Sequence, residues 1–193
     1  MLVYLHGLNS SGQSIKGQQL RERLRPFQVL TPDYPAHRPN EALACLERFF
    51  RALDGPAPAV VGSSMGGFYG QYLARHFTFS HLFMINPALT PWTFLAEHLG
   101  ETMTTAEGER YPITRELIDS TRAYGIDDPG AGVATTLFLN RGDEVIDYRI
   151  AERHYAGHGR RLIWDGGDHA FQNMDEAIEI IRAHLVARTG SRA

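Results

Sequence analysis

Ala59 Val60 Val61 Gly62 Ser63 Ser64 Met65 Gly66 Gly67 Phe68 Tyr69 is the stretch whose reading decides the fold. Its apolar, β-branched opening reads as a short buried strand and its continuation from Met65 as a helix, so the chain turns sharply at the serine between them. Such a turn brings neighbouring backbone so close that the residues two before and two after its centre must be small. Gly62 and Gly66 meet that demand around Ser64. Around Ser63 the same two places hold Val61 and Met65, so Ser63 is excluded. A strained turn of this kind projects Ser64 Oγ from the sheet and leaves the Met65 amide at the positive end of the helix dipole, where an oxyanion would be stabilised.

On either side of this stretch, short apolar runs alternate with amphipathic segments, the pattern of βα units that feed a parallel sheet. Six strands are expected: Leu2 to Leu5, Gln28 to Thr31, Ala59 to Val61, His81 to Ile85, Thr135 to Leu139 and Arg161 to Trp164. Helices are expected at Ile15 to Leu24, Glu41 to Leu53 with Asn40 as cap, Met65 to His76, Tyr148 to Tyr155 and Asp175 to Arg188. The rhythm breaks once, over residues 87–132. That segment opens on Asn86 Pro87, carries Pro91 and Pro112, and closes on Asp128 Pro129 Gly130 and Gly132, so turn signals mark both edges. Two short helices are expected inside it, near Trp92 to Leu99 and Arg115 to Tyr124. A long insertion between two strands of an α/β domain is more often a lid or binding element than a plain connector.

A serine at such a turn needs partners. His6 Gly7 Leu8 directly follows the first strand, and the Leu8 amide is the expected second oxyanion donor, with His6 shaping that loop. The acid is sought in the loop after the strand Thr135 to Leu139, where Gly142 Asp143 Glu144 Val145 Ile146 Asp147 offers two aspartates. Asp143 follows a glycine that frees the turn, whereas Asp147 reads as the N-cap of the helix from Tyr148. Of nine histidines, only His169 stands in a glycine-flexed loop past the last strand, in Gly166 Gly167 Asp168 His169, where it can reach both Ser64 and Asp143. The spacing of His154 and His158 suits a metal on a helix, but Gly157 and Gly159 end that helix and no third ligand is in view, so no metal is expected. His76, His81, His98 and His184 read as ordinary surface or helix-end residues. His6, Tyr34 and Trp92 are the expected substrate contacts.

The chain is 193 residues long, 43% hydrophobic and 21% charged, which suits one soluble domain spanning 1–193. A net charge of −3 without any Lys/Arg cluster argues against nucleic acid or a membrane surface as partner, since both select a concentrated basic face. The lone Cys45 excludes an intrachain disulfide and reads as a small core residue, and no leader precedes the first strand, so a cytoplasmic location is expected. Lys16 is the only lysine beside many arginines, which reads as genome composition.

Taken together, YLHGLNSS at 4–11, VVGSSMGGFYG at 60–70, INPAL at 85–89, GDEVIDYR at 142–149 and GGDHAF at 166–171 resemble the YqiA type of small bacterial esterase. The resemblance runs over nearly the whole chain. It implies an α/β hydrolase fold, a mainly parallel sheet of about six strands with helices on both faces and a short lid. It also implies an enzyme acting without cofactor on a small-molecule carboxylic ester or acyl thioester, with Ser64, Asp143 and His169 as its triad. Two other readings share these residues: a ligand-binding protein of the same fold without turnover, and an acyltransferase or perhydrolase.

Overall fold

The computed structural model describes residues 1–129 and 132–190; Gly130, part of the turn signal closing the insertion, lies outside them, as do residues 131 and 191–193. In chain order the elements are β1 (Leu2–Leu5), α1 (Ile15–Arg23), β2 (Val29–Leu30), α2 (Pro39–Arg51), β3 (Ala59–Ser63), α3 (Met65–Leu73), β4 (His81–Ile85), α4 (Pro91–Glu97), β5 (Thr102–Thr104), β6 (Arg110–Pro112), α5 (Arg115–Arg122), β7 (Thr135–Asn140), α6 (Tyr148–His154), β8 (Arg160–Trp164) and α7 (Met174–Gly190). All pairings in the main sheet are parallel, in the order β2-β1-β3-β4-β7-β8. This is the α/β hydrolase architecture.

Alternation of side chains along each strand divides the core in two. Val3, Leu5, Val60, Leu82, Met84, Leu137 and Leu139 face a layer built from α2, α3 and α6, while Leu2, Tyr4, Ala59, Val61, Phe83, Ile85 and Phe138 face α1 and α7. Because both faces are covered, the strands read as unbroken apolar runs. Each fully buried Leu, Val or Ile side chain contributes about 1.5–3 kcal/mol through burial.

From β1 the chain steps outward to β2 and then returns across β1 to β3. The strand order therefore reverses between β1 and β3, and the loops leaving their carboxyl ends sit side by side. In open α/β sheets that crevice is where ligands bind.

Three expectations need correction. Asn40 is not the cap of α2: the helix begins at Pro39, whose fixed φ and missing amide suit the first helical position, and Asn40 Oδ1 instead accepts from Tyr124 Oη at 2.5 Å. His81 is half-buried and not an ordinary surface residue, since it packs against Phe83 and His184 and shares a 2.9 Å hydrogen bond with Thr136 Oγ1. The insertion holds more than its two helices: β5 and β6 pair as an antiparallel hairpin, and Leu95, Tyr111, Ile113 and Ile118 form a small core of their own against which Leu8 and Trp92 pack. Among the described residues, no helix is long and apolar enough to cross a membrane.

Candidate active site

Ser64 adopts φ 52° and ψ −120°, a conformation that L side chains rarely occupy. Crowding enforces it. A Cβ on Gly62 would lie 2.4 Å from the Gly66 carbonyl oxygen, and one on Gly66 would lie 2.1 Å from the Leu5 carbonyl oxygen. β3 can thus pass into α3 beside β1 only with glycine at both places. Ser63 is buried in register with Ile85 as part of β3, so it cannot be the turn residue.

His169 lies between β8 and α7, with Nε2 3.0 Å from Ser64 Oγ. Its Nδ1 stands 2.9 Å and 3.0 Å from the two oxygens of Asp143. A carboxylate only accepts, so Nδ1 carries the ring proton and Nε2 of the neutral imidazole turns its lone pair to the serine hydroxyl. Asp143 Oδ1 also accepts from the amides of Val145 and Ile146 at 2.9 Å and 2.8 Å. The Asp143 side chain is 1% exposed and that of His169 23%, which shields their bond from water while leaving the imidazole reachable. Asp147 sits apart, capping α6 through the Arg149 amide at 3.0 Å, and its bonds to Arg149 hold its carboxyl below the ordinary carboxylate value.

Two buried asparagines support these loops. Asn86, at φ 39° directly after β4, accepts the Asn140 amide at 2.9 Å and donates Nδ2 to the Asp168 carbonyl at 2.9 Å. Asn140 accepts the Gln172 amide at 3.0 Å and donates to Asn173 Oδ1 at 2.8 Å. A Cβ at Gly167 would fall 2.3 Å from Asn140 Oδ1, so the turn before His169 closes directly on that amide. Glu144 Oε2 accepts the His169 backbone amide at 3.0 Å. Asn86, Asn140 and Glu144 are site residues absent from the sequence expectations; the signal the sequence carries for them is an asparagine directly after β4 and another closing β7.

Met65 opens α3, where an amide has no intrahelical acceptor. Neither its amide nor that of Leu8 donates to an acceptor among the described residues. The Gly7 backbone lies against the serine, since a Cβ there would come 3.1 Å from Ser64 Cβ. The loop is held by Tyr34 Oη, which donates to the His6 carbonyl at 2.5 Å, and by Tyr111 Oη, which donates to Asn9 Oδ1 at 2.8 Å. Burial pushes the Tyr111 phenol up to about 12, so it keeps its proton.

Ser64 and His169 open into a cavity of about 760 Å³ that Leu8, Ser10, Lys16 and Glu144 also line. Lys16 is therefore placed at the candidate site, against its reading as mere composition. Burial lowers its pKa, opposed by Asp168 and Asp143. His6 and Tyr34 line a second cavity, on the other side of the loop after β1. Trp92 lines neither: α4 turns it edge-on to Phe68, at 6.2 Å between ring centroids, and against Gly125, so it is packing rather than a contact of the Ser64 cavity. A third cavity of about 650 Å³, at the amino ends of β4, β7 and β8, also holds a hydroxyl beside a histidine, Thr136 Oγ1 at 2.9 Å from His81 Nε2, but that hydroxyl stands within β7 and not at a strained turn, and among the described residues no carboxylate bonds His81.

The model of the family described as "Uncharacterised protein family (UPF0227)" matches residues 1–186. Among solved structures, the chain is similar to Est1E from Butyrivibrio proteoclasticus with ferulic acid bound, at 12% identity and TM-score 0.76, covering 98% of this chain and 89% of that one. It is also similar to alpha/beta hydrolase domain-containing protein 10 from mouse, at 14% identity and TM-score 0.71, covering 100% and 90%. Similarity extends to the monoacylglycerol lipase of Paleococcus ferrophilus, at 15% identity and TM-score 0.69, covering 95% and 94%. At these identities the likeness is one of fold.

Proposed function

The chain belongs to the UPF0227 family, of the YqiA-like kind, and from that membership and the site geometry we propose that it is a serine hydrolase of carboxylic esters, extending to acyl thioesters. One observation carries the reading: a continuous line of hydrogen bonds runs from Asp143 through His169 to Ser64, at a serine held in a strained turn. In the first step His169 Nε2 takes the hydroxyl proton as Ser64 Oγ attacks the carbonyl carbon. Asp143 holds the imidazole in the productive tautomer and stabilises the imidazolium. The Leu8 and Met65 amides receive the negative charge that develops on the carbonyl oxygen. Collapse expels the alcohol or thiol, which takes its proton from His169, and water then attacks the acyl-enzyme by the same route in reverse.

In this reading the whole chain, 1–193, is one domain, and residues 87–132 are a lid whose hairpin and small core brace the oxyanion loop through Leu8 and Asn9. The similarity in fold to an esterase with ferulic acid bound and to a monoacylglycerol lipase is in keeping with an ester substrate. The test is an alkyl fluorophosphonate probe on the full chain. Labelling of the wild type and none of Ser64→Ala is expected; labelling that persists in Ser64→Ala would sink the assignment. A panel of esters and thioesters of graded acyl length then defines the substrate.

A further inference from the structure

The loop after β1 separates two cavities, and Ser10 lines both. The one away from Ser64, of about 400 Å³, lies between this loop, residues 33–37 and the tip of the β5–β6 hairpin. Its walls bring Asp33, Glu107 and Glu109 together with no lysine or arginine among them. Glu109 is paired with Arg38 through one carboxylate oxygen, and His37 Nε2 lies 3.3 Å from the other. Asp33 Oδ1 takes only the Gly12 amide, at 2.6 Å, and Glu107 has no cationic partner among the described residues.

His6 adds a second, independent indication. It is 1% exposed, and its Nδ1 lies 2.9 Å from the Gly7 carbonyl, which can only accept; Nδ1 therefore carries the ring proton. Burial keeps the ring neutral by lowering its pKa, so Nε2 is a bare lone pair. That nitrogen is buried and meets no donor among the described residues. The ring stacks on Tyr34 at 4.2 Å, and both rings line this cavity. An unmet buried acceptor is costly, and a cavity walled by acceptors and carboxylates is complementary to a cationic N–H donor.

We propose that this cavity receives an ammonium or guanidinium group of the substrate, so that the preferred esters carry a positively charged N–H-bearing end. The inference rests on the serine-hydrolase reading and adds a substrate class to it. The Ser64 cavity is of mixed charge, with Lys16 facing Glu144 and Asp175, the last paired with Arg23, whereas the cavity beside His6 carries carboxylates without a lysine or arginine in its lining.

The test pairs isosteres on the full chain. On the acyl side, p-nitrophenyl 6-aminohexanoate is compared with p-nitrophenyl heptanoate and with the p-nitrophenyl monoester of adipic acid. On the alcohol side, 6-aminohexyl butyrate is compared with heptyl butyrate. In at least one arm the ammonium member should show kcat/KM about fivefold above its neutral partner, carried mainly by KM, the upper end of what an exposed ion pair allows. Glu107→Gln should shrink that ratio, and Glu107→Lys should invert it in favour of the adipate monoester. Ratios near one in both arms, ratios indifferent to both Glu107 changes, or a wild-type preference for the adipate monoester overturn the proposal. Hydrolysis of the neutral esters with no cation preference leaves the serine-hydrolase reading standing, whereas absence of all hydrolysis and of fluorophosphonate labelling removes both.

Discussion

Asn86 accepts the backbone amide of Asn140 at 2.9 Å, tying the carboxyl end of β4 to that of β7 directly beneath the loops that carry His169 and Asp143. Both residues are almost fully buried, at 2% and 0% exposure, so losing one partner strands the other. Asn86→Leu should cost about 1–3 kcal/mol in denaturant unfolding. It should also lower kcat by about 10²-fold with KM little changed, because His169 loses the Asp168 carbonyl anchor that sets its position. Wild-type kcat in this variant would show that the tie is structural only.

Removal of the hydroxyl or the imidazole should reduce kcat on a p-nitrophenyl ester by about 10⁴–10⁶-fold in Ser64→Ala and His169→Ala, as members of one unit. The strained backbone adds a stability signature. Ser64→Gly should unfold at a higher denaturant concentration than Ser64→Ala, by about 1 kcal/mol, since glycine alone occupies φ 52° at little steric cost. Equal stability of the two variants would argue that the turn stores no strain.

The two aspartates of the acid loop separate cleanly. Asp143→Asn should cost about 10⁴-fold in kcat through the wrong histidine tautomer. Asp147 caps α6 and faces Arg149, so Asp147→Ala should leave kcat within a few-fold and lose about 1 kcal/mol in thermal unfolding. The reverse ranking would identify Asp147 as the acid.

Gly66→Ala sets a Cβ 2.1 Å from the Leu5 carbonyl oxygen, backbone against backbone, and should lose more than about 4 kcal/mol or fail to fold. Gly55→Ala meets nothing within 4 Å but keeps φ +97°, so only backbone strain, about 1–2 kcal/mol, is expected. Comparing their melting temperatures distinguishes crowding from conformation.

Stability should fall on acidification through His81. Burial, reinforced by His184, lowers its pKa from 6.5 to about 4. The unfolded chain then takes up a proton below about 6.5 that the folded chain refuses until about 4, so the contribution is complete above the higher value and is lost as pH falls between the two. Allowing for partial solvent access, about 1 kcal/mol is at stake. His184, also lowered by burial, adds in the same direction. His81→Gln should flatten the unfolding free energy between pH 7 and pH 4; an unchanged slope would remove His81 from the account.

The strands were legible because burial on both faces leaves long apolar runs that no turn residue interrupts, as at Leu2–Leu5 and His81–Ile85. The hairpin of β5 and β6 was not, since three-residue, mostly exposed strands closed by Pro112 carry neither apolar runs nor clean alternation. Ser64, Asp143 and His169 could be picked out because each follows a strand, and the parallel sheet delivers strand ends to one edge. Asn86 and Asn140 could not, because their importance depends on β4 and β7 being neighbours. The placement of Lys16 beside Ser64 and of Trp92 against Phe68 was not legible for a related reason: residue type is visible in a sequence, whereas the direction a helix turns it is not.

The contact between Gly66 and Leu5 ties reactivity to foldedness. The geometry of Ser64 exists only while β1, β3 and the start of α3 are docked to within the space of a single hydrogen atom. A chain that has collapsed without completing this junction holds an ordinary, unactivated serine. Along an unfolding titration, fluorophosphonate labelling should then decline in step with the native population, so the probe doubles as a reporter of correctly assembled molecules in crude extracts.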